Sequence, residues 1–153
     1  MPPLPEIIAA ITKYGLRKGL ASEDAEADLE RNLVYLYAHY FASAERARPE
    51  EGISATYVAP DRKTVRANVE RNFPDFGFYH ATAHPRGILD DPQLVVGDAT
   101  DDATDVIIGL LEVEWRLRQG GEAEALYDFR FDFESHLRPH VLGLLTFLAS
   151  EEE

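Results

Sequence analysis

Four residues, Asp128, Asp132, His136 and His140, follow one another at steps of four. On a helix that spacing puts all four side chains on one face, where two imidazoles can reach a single metal ion. A second segment carries acids at helical spacing, Asp98, Asp102, Asp105 and Glu112, then Arg116, with Gly109 between Asp105 and Glu112. The first acids suit a helix N-terminus, whose unpaired N–H groups attract carboxylates. Glu112 and Arg116 suit an ordinary i,i+4 ion pair. Asp105 and Glu112 interrupt an otherwise apolar run of Val106, Ile107, Ile108, Leu110, Leu111 and Val113.

Two chemistries fit these residues. In the first, Asp105, Glu112, His136 and His140 converge on one divalent ion, and Asp132 accepts a hydrogen bond that fixes a histidine tautomer. Mixed carboxylate and imidazole donors suit zinc, manganese or iron better than calcium, and an open coordination position activates water, as in a metal-dependent hydrolase. In the second, Asp105, Glu112, Arg116 and Arg130 form a buried network of paired charges between two helices, with no metal. The His-x-x-x-His pair lacks the adjacent glutamate of a zinc-protease signature, and Pro139 falls between the two histidines.

Other chemistries find no support. No glycine pattern of a phosphate loop, dinucleotide fingerprint or nucleophile elbow occurs, and there is no cysteine for a thiolate site or a disulfide. His39, His80 and His84 read as hydrogen-bonded packing residues. The aromatic run Phe76, Phe78, Tyr79, His80 offers an interaction loop instead. The chain's 28 acids and 15 bases give a formal charge of −13. Without a basic stripe, nucleic acid and anionic membranes are excluded as partners, and a basic protein is the partner that fits. The start, Met1-Pro2-Pro3-Leu4-Pro5, does not resemble a signal peptide. The most apolar stretch, Val141 to Ala149, is too short to cross a bilayer. A cytoplasmic location is expected.

The elements that must position these residues read as helices. Leu4, Ile7, Ile8, Ile11 and Tyr14 mark a first helix ending before Gly19. Ser22 is the expected N-cap of a second, running to about Arg48 before Pro49. Pro49 to Pro60 reads as a loop with a short extended piece at Ala55 to Val58. Asp61 caps a third helix that ends at Pro74. Pro74 to Val96 reads as a long aromatic loop lying across one end of the bundle. Gly97-Asp98 opens a fourth helix lasting to about Gln119, and a fifth runs from Glu122 to near Ser150. Two features disturb that last helix: Phe129 to Glu134 alternates like a strand, and Pro139 predicts a kink. The expectation is an all-α single domain over residues 1–153, core about 5–150, with five helices, the fourth and fifth forming a central antiparallel pair. Glu151 to Glu153 reads as a solvated tail.

The order Arg71-Asn72-Phe73-Pro74, Gly77-Phe78-Tyr79-His80, Gly97-Asp98-Ala99, Asp101-Asp102-x-x-Asp105, Glu112-Val113-x-Trp115-Arg116 and Phe129-Arg130 with His136 and His140 resembles a bacterial family of small, mostly helical proteins catalogued only as a domain of unknown function. The resemblance covers roughly residues 55 to 148. It implies the fold class and no activity. A tryptophan and glycine follow the first histidine in that pattern, whereas Leu137-Arg138-Pro139 stand here. The leading expectation is thus a non-enzymatic accessory or interaction module. The alternative is a metal-binding protein or metal-dependent hydrolase. The sequence leaves the oligomeric state open.

Overall fold

A computed structural model of the chain describes residues 1–43, 47–49, 52–88 and 91–150. Helix makes up 63% of them, so the domain is predominantly helical. It is not strictly all-α, because a two-stranded antiparallel hairpin lies between the third and fourth helices.

Helix α1 (Leu4–Leu16) packs Ile7, Ile8 and Ile11 into the core, and Pro5 occupies its first turn, where a missing N–H is harmless. Helix α2 (Ala25–Ala42) buries Leu29, Leu33 and Leu36 against it. Its N-cap is Asp24 rather than Ser22, and it stops at Ala42 rather than near Arg48. The chain turns extended at Ser43, whose hydroxyl and carbonyl are taken up by other groups described below. The stretch of the expected helix at 44–46 lies outside the described residues. Residues Ala55 to Val58 form no strand. Helix α3 (Arg62–Asn72) is capped by Asp61, which accepts from the Lys63 N–H.

The stretch expected as an aromatic loop contains β1 (Phe78–Thr82) and β2 (Leu94–Asp98), paired with Phe78 opposite Asp98 and Thr82 opposite Leu94. Its Phe, Tyr, Thr and Val content favours a pleated strand, and alternation decides which side chains face the helices. Punctuation by Gly77, Pro85, Gly87 and Pro92 hid that pattern. The expected extended piece at 55–58 is thus no strand, and both described strands lie in the stretch expected as a loop.

Helix α4 (Ala99–Arg118) is the centre of the molecule, packed on α1, α3 and all three pieces of the last helix. Asp98 caps it by accepting from the Thr100 and Asp101 N–H groups, at 3.0 and 3.3 Å. At Gly109 a side chain would lie 2.8 Å from Leu137 and 2.9 Å from the Asp132 carboxylate, so glycine there sets how closely the last helix approaches. That last helix is three pieces: α5 (Glu122–Asp132), a π-helical turn (Phe133–Leu137) and α6 (Arg138–Ala149). The alternating Phe129–Glu134 stretch is helical, with Phe129 and Phe133 both fully buried. Pro139 sits in the first turn of α6 and has no N–H for Ser135, while the Arg138 N–H reaches back five residues to Phe133. Where a kink was expected, the helix carries this π-helical turn. The acidic tail at 151–153 lies outside the described residues. No helix among them is long and apolar enough to cross a membrane.

Candidate metal centre

Helix α4 presents Asp102 and Asp105 one turn apart, and His140 of α6 lies between them. Its Nδ1 is 2.7 Å from Asp102 Oδ1, and its Nε2 is 3.4 Å from Asp105 Oδ2. An ionised carboxylate only accepts, so Nδ1 carries the proton that binds Asp102. In the neutral ring Nε2 then holds a lone pair directed toward Asp105.

The two distances differ in kind. Charge-assisted N–H···O⁻ bonds run at roughly 2.7–2.9 Å, which the Asp102 contact meets and the Asp105 contact does not. A zinc ion with bonds of about 2.0–2.1 Å to nitrogen and oxygen has neighbouring donors roughly 3.3–3.4 Å apart at tetrahedral angles. The His140–Asp105 gap matches that edge. One turn earlier, exposed His136 completes a group of three in which one ligand atom from each of Asp105, His136 and His140 lies within 4.8 Å of the others. The two imidazole rings are 5.0 Å apart and nearly perpendicular. Closing 4.8 Å to a coordination edge needs a side-chain rotation, which the exposed His136 is free to make.

Each carboxylate divides its two oxygens. Asp102 gives Oδ1 to His140 and Oδ2 to the Tyr79 hydroxyl, which donates across 2.5 Å. Asp105 gives Oδ2 to the His140 side and Oδ1 to Arg62, 2.5 Å away. Arg62 also pairs with Asp101, and Arg66 links Asp101, Asp98 and Glu70, joining α3 to the first turns of α4. With Oδ1 held by Arg62, Asp105 offers a single oxygen to an ion. The hydrogen bond His140 donates to Asp102 raises the His140 pKa; burial opposes it, and the charges of Asp105, Asp102 and Asp101 add to it.

The remaining expected site residues stand elsewhere. Glu112 is not part of the group. It pairs with Arg116 at 3.2 Å, about two helical turns beyond Asp105 on the far side of Gly109. Arg116 also holds Glu124 at 2.6 Å and Asp128 at 2.6 Å, the latter a charge contact without hydrogen-bond alignment. Burial still raises the Asp128 pKa against the pull of Arg116. Arg130, expected in a network with Asp105, Glu112 and Arg116, faces the other way and pins the end of α2. It donates to the Tyr40 and Ser43 carbonyls at 3.2 and 2.9 Å and pairs with Glu134 at 3.3 Å. The members of the single expected network therefore separate into three groups: Asp105 with Arg62 and His140, Glu112 and Arg116 with Glu124 and Asp128, and Arg130 with Glu134 and the end of α2. Asp132 makes no hydrogen bond to either histidine among the described residues. Burial raises its pKa, and the charge of His136 lowers it. The acceptor that orients a histidine is Asp102, dismissed in the sequence as a helix-start acid.

The aromatic run divides by strand alternation. Tyr79 points inward to Asp102, Phe76 stacks on Phe73 with ring centres 4.5 Å apart, and Phe78 and His80 face outward. His39 meets the packing expectation, its Nε2 lying 2.8 Å from the Pro2 carbonyl.

No protein-family model, curated protein or solved structure matches this chain. The resemblance drawn from its motifs rests on those residues alone, and function has to be argued from geometry.

Proposed function

We propose that this protein binds a divalent transition metal through Asp105, His136 and His140, and that open positions on the ion serve water-dependent chemistry such as hydrolysis. The observation that carries the reading is His140 Nε2 standing 3.4 Å from Asp105 Oδ2 while Nδ1 is engaged by Asp102. The separation is too long for a strong hydrogen bond and right for two donors on one ion. Two imidazoles and one carboxylate suit zinc or iron(II), with manganese next. Three protein ligands leave room for water, whose acidity a bound zinc ion increases to the neutral range.

Titration calorimetry of tag-free protein with zinc, iron(II) and manganese tests the reading. One ion per chain, with binding lost in His140→Gln and weakened in His136→Ala, is the expected result. Equal, negligible heat for wild type and His136→Ala overturns it and leaves His140 as an imidazolium between two carboxylates.

A second reading, an interaction module for a basic protein, is favoured by the outward face of the hairpin. Phe78, Leu94 and Val96 are 75%, 70% and 66% exposed there, on a chain of charge −13. Apolar side chains side by side on a two-stranded ladder suit a protein contact. Association driven by the acidic surface weakens steeply with salt, and contact through Phe78, Leu94 and Val96 does not.

A further inference from the structure

We infer that Tyr79, carried by the hairpin, is a positioning residue of the metal site, acting through Asp102 to fix which nitrogen of His140 meets the ion. The inference rests on the metal reading for its consequence, but the contact it invokes exists without metal. Tyr79 donates its proton to Asp102 Oδ2, and Asp102 Oδ1 accepts from His140 Nδ1. The chain of two hydrogen bonds ends with the Nε2 lone pair facing Asp105. Remove the phenol hydroxyl, and the buried Asp102 loses a partner on Oδ2. Its carboxylate is then free to turn, and the His140 ring loses its fixed acceptor.

The space Tyr79 occupies is built for it. Gly97 stands directly across the ladder from Tyr79, and a Cβ at Gly97 would collide with the tyrosine ring. Gly143 of α6 lies at the other end of the same ring, and a Cβ there would collide with the hydroxyl. Two glycines from separate elements thus form a slot that admits the phenol to Asp102. Gly143 is mid-helix, where alanine is ordinarily preferred, so leaving that position bare has a local reason. The hairpin root is fixed beside it: Phe76 packs between Phe73 and Phe147, and Phe147 also lies 6.1 Å from the Tyr79 ring. Tyr79 donates its hydrogen bond while burial and the Asp102 bond hold its phenol protonated.

Two readouts separate this role from simple packing. The first is the ¹⁵N spectrum of metal-free protein above the His140 titration, with His140 assigned by its loss in His140→Gln. Wild type shows one tautomer, with Nδ1 protonated and Nε2 bare. Tyr79→Phe shows a mixture. The second is zinc affinity, which falls about tenfold in Tyr79→Phe and more in Asp102→Asn, within the roughly 10–100-fold typical when a ligand loses its orienting partner. Gly143→Ala, which blocks the slot while leaving Tyr79 itself unaltered, repeats the Tyr79→Phe result. A Tyr79→Phe protein of lowered thermal midpoint but unchanged tautomer and zinc affinity overturns the inference. If wild type binds no zinc while Tyr79→Phe still scrambles the tautomer, the metal reading falls and the positioning link stands.

Discussion

Hydrogen bonds from tyrosine to aspartate recur in this chain, and each ties stability to pH. Tyr14 donates to Asp28 at 2.6 Å, beside Lys13 at 3.3 Å from the same oxygen. Burial raises the Tyr14 pKa, and the bond and charge of Asp28 raise it further. In the unfolded chain the phenol ionises near pH 10. The protonated form is favoured by the fold, so its contribution is complete below about pH 10 and is lost as pH rises above that value. Thermal midpoints followed from pH 8 to 11 should fall more steeply for wild type than for Tyr14→Phe. Equal slopes would show that the bond adds nothing to the protonated state. At the metal site the linkage runs the other way. Protons compete with metal for imidazole nitrogen, and the raised His140 pKa makes zinc affinity decline at a pH above the roughly 6.5 of free imidazole.

At the scale of elements, the apolar periodicities at Ile7, Ile8 and Ile11, at Leu29, Leu33 and Leu36, and along α4 were readable because burial on one helix face repeats every three or four residues. The hairpin was not, since five-residue strands separated by eleven residues rich in proline and glycine give period two too little length to register. Of the site, the i,i+4 histidines and Asp105 were legible as a set, and the structure brings them together. Glu112 and Arg130 were misplaced because spacing along one helix does not say which neighbour each face meets. Tyr79 and Asp102 were available only as a loop aromatic and a helix-start acid. The signals beside them were Gly97 and Gly143, bare positions in elements that disfavour glycine. The end of α2 depends on α5 through Arg130, which serves carbonyls left open where the helix ends and stacks on Tyr40, 4.8 Å from the ring centre. Arg130→Met should lower stability by about 1–3 kcal/mol, the range for removing a charged donor from part-buried acceptors, chiefly the Ser43 carbonyl. Denaturant unfolding measures this, and an unchanged midpoint would mean that water replaces the guanidinium without loss.

For the molecule as a whole, the candidate site joins three parts that share no local sequence: the hairpin through Tyr79, α4 through Asp102 and Asp105, and the last helix through His136 and His140. An ion held there binds only the folded chain. At free metal one hundred times the dissociation constant it should add about 2.7 kcal/mol to folding, which raises the melting midpoint of a chain this size by roughly 5–11 °C. A chelator should reverse the shift, and no shift in His140→Gln would assign it to this site. The last helix also has to keep its buried side chains in phase from one end of the molecule to the other. Ala125, Phe129, Phe133, Leu137 and Val141 are all buried and follow at uniform steps of four. In an uninterrupted α-helix each such step overshoots a full turn by about 40°, so four steps would rotate Val141 about 160° from Ala125. The π-helical turn at Phe133–Leu137 holds about one residue more than the α-helical turn it replaces. That takes about 100° from the accumulated rotation and leaves about 60°, within the width of one buried stripe. The widened turn is thus an angular correction, and it is what returns both Val141 to the core and His140, next to it, to α4.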